Sequence, residues 1–118
     1  MPIDANYVLS ASMDVTSDAE ATFNDVYDTE HVPSLGAVPG VLSIVRFERT
    51  ELRMSIGGEV VAVAPGDAPR YTAFYELESP EVLVSDGWAH AIEQGRWPAE
   101  VRPHTLNRRH VLLRRMTT

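Results

Sequence analysis

The chain is predicted to fold as an α+β protein, with one antiparallel sheet and helices packed on one of its faces. Three observations predict it. Apolar residues alternate with period two in segments at 7–14, 41–56, 70–78 and 108–116, the pattern of strands. Helix-period stripes fall between the first and second of these segments and again between the third and fourth. Gly57-Gly58 then places a tight hairpin in the middle of the chain.

In the first strand, YVLSASMD, Tyr7, Leu9, Ala11 and Met13 share a face. Ser17-Asp-Ala-Glu20 has the spacing of a capping box, in which hydroxyl and carboxylate each satisfy a free helix-end amide. The helix it opens carries its stripe on Ala19, Phe23, Val26 and Tyr27. Extending that stripe by three and four residues reaches Glu30 and His31, with Asp28 turned towards solvent. Pro33 is expected to end or kink this helix, and Pro39-Gly40 makes a turn.

Residues 41–56 contain the second strand, with Val41, Ser43, Val45 and Phe47 on one face and Leu42, Ile44 and Arg46 on the other. Past Gly57-Gly58 the chain returns through Glu59–Ala64, and 65–69 is a loop. The strand at 70–78 sets Tyr71, Ala73, Tyr75 and Leu77 on one face. Ser79-Pro80 starts a helix, which Ser85-Asp-Gly interrupts, capping a second piece that bears Trp88, Ala91 and Ile92. Residues 96–107 read as irregular, and RRHVLLRRM (108–116) is the last strand.

This β-α-β-hairpin-β-α-β order is the split βαβ, ferredoxin-like arrangement: a four-stranded antiparallel sheet plus an extra β-hairpin. Val8, Phe74 and Leu113 make the second sheet face apolar as well. A sheet with two apolar faces needs two covers, and the helices supply one. A second copy of the chain is the expected other cover, giving a homodimer.

The length of 118 residues suits a single domain, 1–118. No cysteine is present, so thiolate chemistry and Cys-type zinc sites are excluded. A formal net charge of −7 argues against nucleic acid as a partner. No apolar stretch is long enough to cross a bilayer, and the start, MPIDANYV, lacks the pattern of a secretory signal, so the cytoplasm is the expected location. All ten basic residues are arginines, six of them within 96–115. Arginine supplies planar forks for carboxylates, on a ligand or across an interface.

His31 is the central candidate. An imidazole both takes and gives a proton near neutral pH. At a helix end it can equally cap a free carbonyl. Glu30 projects about 100° from His31 around the helix and cannot easily orient its ring. The four histidines have no metal-ligand spacing, and no phosphate loop, nucleophile elbow or dinucleotide fingerprint is present, so no cofactor is expected. His110 shares a strand face with Leu112, in core or pocket. Tyr27 and Tyr75 lie on elements that face each other across a helix–sheet layer. Arg46 is either an interface ion-pair member or a carboxylate clamp.

With FNDVYDTEHVPSLGAVPGVLSIVRF (23–47), RYTAFYELESPEVL (70–83) and RRHVLLRRM (108–116), the chain resembles the dimeric α+β barrel superfamily in its EthD-like branch. The resemblance implies two ferredoxin-like subunits packed sheet to sheet, each with a ligand pocket between sheet and helices. Muconolactone-type isomerases of this superfamily carry a functional histidine at the same spacing before a Pro-Gly turn, a position matched by His31. Related branches include cofactor-free monooxygenases, polyketide cyclases or decarboxylases, and haem enzymes. The absence of cysteine departs from the isomerases.

The resulting expectation is a cofactor-independent acid/base enzyme of isomerase, lyase, decarboxylase or cyclase type, acting on a small aromatic or lactone-like molecule. His31 would be the acid/base, with Glu30 tuning it and Tyr75 stabilising negative charge. Tyr27, Arg46, Trp88, Phe23 and His110 would line the substrate site. The alternatives are a non-catalytic binding protein using the same pocket, and a haem enzyme with His31 or His110 on the iron.

Overall fold

In the computed structural model the strands are β1 (Tyr7–Val15), β2 (Val41–Glu48), β3 (Leu52–Ile56), β4 (Glu59–Val63), β5 (Tyr71–Leu77) and β6 (Thr105–Arg114). Residues 3–117 are described; Met1, Pro2 and Thr118, at the ends of the expected domain, lie outside them. Four strands form an antiparallel sheet in the order β2-β5-β1-β6, and β3 and β4 form a separate hairpin. Gly57 and Gly58 turn that hairpin with φ of 62° and 87°, which a two-residue turn of this hand demands. Its apolar side chains Leu52, Met54, Ile56 and Val60 are all exposed.

Helices α1 (Glu20–Val26), α2 (Val32–Gly36) and α3 (Asp86–Ala91) cover one sheet face. The alternation on β5 is complete, with Tyr71, Ala73, Tyr75 and Leu77 buried. They meet Phe23, Val26 and Leu35, which are almost wholly removed from water. Each large side chain so buried contributes about 1.5–3 kcal/mol. Ser85 caps α3 as expected, its Oγ accepting the Trp88 N–H at 3.2 Å. No helix among the described residues is long and apolar enough to cross a membrane.

Two local expectations are corrected and one is narrowed. The capping box does not form: neither Thr16 nor Ala19 caps its helix by a side chain. The Glu20 carboxylate is drawn instead to the Tyr71 hydroxyl at 2.7 Å and to Arg70 at 2.9 Å, stronger partners than an exposed amide. Of the two outcomes expected at Pro33, an end or a kink, the helix does not end. Tyr27–His31 forms a π turn, and the chain runs on into α2 with Pro33 in its first turn. A π turn widens the helix where proline's missing N–H and its ring would break an α-helical ladder.

The second correction concerns β2. Its register against β5 shifts by one residue between Val41 and Ser43. Val41 therefore pairs with Leu77 and packs on the core, while Ile44 and Arg46 keep the helix-facing side opposite Tyr75 and Ala73. On the opposite face Val45, Phe47, Val111 and Leu113 remain about half exposed, with Phe47 set edge-on to Phe74 at 5.5 Å. Within one chain no helix covers that face among the described residues, and of its apolar side chains Val8 is buried.

Candidate functional site

Between the helix-covered face and the segments after α3 lies a cavity of about 350 Å³, at the lower end of the roughly 300–1,000 Å³ typical of small-molecule sites. Leu9, Ala11 and Met13 of β1 form its floor, and Leu35, Trp88 and Ile92 part of its walls. Its polar groups are Tyr27, Tyr75, His31, His110, Thr105, Arg102 and Arg108, together with the Trp97 indole. No Asp or Glu lines it.

His31 reaches the cavity from the end of the π turn and is buried. Its ring stacks on Trp97, with centroids 3.8 Å apart and planes 9° apart, and meets Tyr27 edge-on at 5.0 Å. Trp97 opens a second π turn, Trp97–Val101, so two widened helical turns press the rings together. The buried Nδ1 of His31 has no hydrogen-bond partner among the described residues. Burial, and then the charges of Arg102 and Arg46, lower its pKa from 6.5 to about 4. His31 is therefore a neutral imidazole at physiological pH.

This has a consequence for stability. Between pH 6.5 and about 4 the unfolded chain binds a proton at His31 that the folded chain refuses, so stability rises with pH across that window. Acidification through it is expected to remove about 3 kcal/mol from the wild type. Urea unfolding of wild type and His31→Phe at pH 7 and pH 4.5 checks this. Parallel losses in the two proteins would show that His31 is not held neutral.

The Tyr27 and Tyr75 hydroxyls bond to each other at 2.5 Å. Burial raises the pKa of both, that of Tyr75 well above the ordinary value, so both are neutral phenols. One proton joins the pair and the other is left to donate. Arg46 stands behind this pair, with its guanidinium 4.3 Å from the centre of the Tyr27 ring. It is held by Asp28 and Asn24 at 2.8 Å each. Its charge favours negative charge on Tyr27.

Of the predicted site residues, the structure brings His31, Tyr75, Tyr27, Trp88 and His110 to one cavity. Three others it does not. Arg46 is committed to Asp28 and Asn24 outside the lining and offers no free fork to a ligand there. Phe23 is a core side chain, fully buried beneath Tyr27 and Tyr71. Glu30 faces away from the cavity lining and accepts the Arg96 N–H at 2.8 Å and its Nε at 2.6 Å. A Cβ at Gly95, where φ is +65°, would strike this carboxylate. Glu30 thus ties down the loop that carries Trp97, and it serves His31 through that ring.

Sequence reasoning missed Trp97 and Arg102 as cavity residues because 96–107 has no single period to read, and it missed Arg108 although alternation over 108–116 puts it on the face of His110. The density of arginines over 96–115 is the signal that was there. Among the described residues no group of three or more His, Asp or Glu could hold a metal ion.

The class these features define is the ferredoxin-like α+β fold. One solved structure it is similar to is that of MhuD, a heme-degrader from Mycobacterium tuberculosis, with two hemes bound in its active site. The TM-score is 0.56 at 15% sequence identity, over 95% of this chain and 97% of that one. No protein-family model matches the chain, and no curated protein matches it in sequence. The likeness establishes the fold.

Haem can be tested against the residues present. A ligating imidazole holds its second nitrogen against an acceptor, which fixes the ring and raises its basicity. The Nδ1 of His31 is buried without one. His110 makes no side-chain hydrogen bond among the described residues and lies on an exposed strand. Neither histidine has such a second partner among the described residues.

Proposed function

We propose that the chain is an EthD-like enzyme that moves a proton on a small aromatic or lactone-like molecule without a cofactor. The observation that carries the reading is His31: a neutral, buried imidazole with an unpartnered ring nitrogen, lining the same apolar cavity as a pair of neutral tyrosines. A neutral imidazole is a base. It would take a proton from a carbon beside a carbonyl while the free hydroxyl proton of the Tyr27–Tyr75 pair bonds the oxygen that gains charge. Imidazolium and enolate then form together as an ion pair, which offsets the burial that opposes either charge alone. Return of the proton to another atom completes an isomerisation, and loss of a leaving group an elimination.

A homodimer through the bare sheet face accompanies this reading. The half-exposed Val45, Phe47, Val111 and Leu113 favour it, because a contiguous apolar face of this kind marks an interaction surface.

A thermal-shift screen of wild type and His31→Ala against lactones, phenols, aromatic acids, aromatic amides and hemin tests the site. A ligand at a hundred times its dissociation constant adds about 2.7 kcal/mol, which moves the midpoint by several degrees. One small-molecule class is expected to shift the wild type and not the variant. A hemin complex with a Soret band that His31→Ala abolishes would replace this reading with haem chemistry. No shift with any compound would leave His31 a structural residue.

A further inference from the structure

We propose that the molecule taken by this cavity is an organic carboxylate, and that Arg108, turned inward by a β-bulge, binds its carboxylate group. The inference rests on the cavity being the ligand site, as read above. Its first support is charge. The chain carries 17 acidic residues against 10 basic ones, yet the cavity is lined by two arginines and two histidines and by no acid. A surface with this excess of acid repels anions, so a cavity of the opposite character selects them.

The two arginines are not equivalent. Arg102 is spent on Glu93, at 3.0 and 2.9 Å, and on the Ile92 carbonyl at 2.9 Å. Arg108 makes no salt bridge and no side-chain hydrogen bond among the described residues, although it borders the cavity beside His110, whose pKa is lowered by burial and then by the Arg108 charge. A guanidinium fork without a protein partner at the mouth of an apolar cavity matches a carboxylate in both charge and geometry.

The backbone shows how Arg108 comes to be there. At the start of β6, Thr105 pairs with Val15 and Leu106 with Asp14. Continued regularly, that register would set residue 108 against Ser12, on the face away from the helices. Instead Ser12 pairs with Arg109 and Ala11 with His110, so β6 holds one extra residue opposite Met13. The extra residue turns Arg108 onto the cavity face beside His110. Bulges re-aim side chains in this way at sheet edges and sites.

Asn107 makes the turn with φ of 52°, the only positive value at a non-glycine among the described residues. Its side-chain amide donates to Asp14 at 3.0 Å and to the Asp67 carbonyl at 2.8 Å, which holds the left-handed backbone in place. The bulge is thus braced by contacts outside the cavity, and the side chain it delivers is left without a partner.

Isothermal titration with matched pairs tests this: benzoate against benzamide, and phenylacetate against phenylacetamide. The proteins are wild type, Arg108→Gln, Arg108→Lys and, as a control on the opposite face, Arg109→Gln. The acids are expected to bind wild type and Arg109→Gln about tenfold or more tightly than the amides. Arg108→Gln is expected to abolish the preference at an unchanged melting midpoint, and Arg108→Lys to keep part of it. Equal binding of acid and amide, or a preference that survives Arg108→Gln, overturns the carboxylate assignment while leaving the cavity as the site. Binding of neither member of either pair overturns the assignment too, and the lactones and phenols of the thermal screen then decide whether the cavity reading itself stands.

Discussion

His31→Gln is expected to lower turnover by about 10²–10⁴-fold, the usual contribution of a positioned acid/base group. Glutamine is polar, of similar size and planar at its amide, so it can lie flat against Trp97, but it cannot take up a proton. The variant should therefore fold and still bind the molecule found by the thermal screen. A loss in kcat with little change in KM marks a group that acts in the transition state. Proton exchange at the substrate carbon, followed by NMR in D₂O, reads the same step without a need for product and should fall in parallel. Wild-type rates in His31→Gln would remove the histidine from the chemistry and leave the Tyr27–Tyr75 pair as the group to test.

Phe47→Asp, and separately Val45→Asp, should convert a dimer into a monomer of 13.1 kDa in analytical ultracentrifugation. Both residues lie on the sheet face that the helices leave uncovered, with 53% and 48% of their surface exposed in the single chain. At a sheet-to-sheet contact, two symmetry-related carboxylates would be buried without partners, at a cost of several kcal/mol. The single chain should tolerate the same change, because water still reaches that face. A wild type that sediments as a monomer at micromolar concentration would remove the sheet face as an interface, and a dimer unaffected by either substitution would move the contact to the exposed β3–β4 hairpin.

Local patterns were readable where the backbone is regular. Leu9, Ala11 and Met13 on β1, and Tyr71 to Leu77 on β5, show the alternation of a half-buried strand because nothing interrupts their register. The Gly57-Gly58 hairpin and the Ser85 cap were equally plain, since each depends on residues adjacent in sequence. The helix stripe that ends at His31 put that residue on the buried side, where it lies.

Interruptions of one residue escaped notice. The shift in β2 carries Val41 to the core, the bulge in β6 turns Arg108 inward, and the π turn at Tyr27–His31 lets a helix pass through Pro33. Each inserts a residue into a periodic pattern. The energy that holds it comes from elsewhere in the chain, as when Asp14 and Asp67 hold Asn107. A window of sequence contains the inserted residue but not its brace.

Charged side chains escaped for a related reason. Glu20, Glu30 and Arg46 each had a plausible local task, and each is taken instead by a partner at least 18 residues away. Alternation, turn chemistry and helix stripes act over a few residues, so the amino-acid sequence alone determined the α+β order, the hairpin and the buried place of His31. Which arginine faces the cavity, and which ring stacks on His31, were decided only by the tertiary structure, because those choices depend on contacts between segments that no local pattern relates.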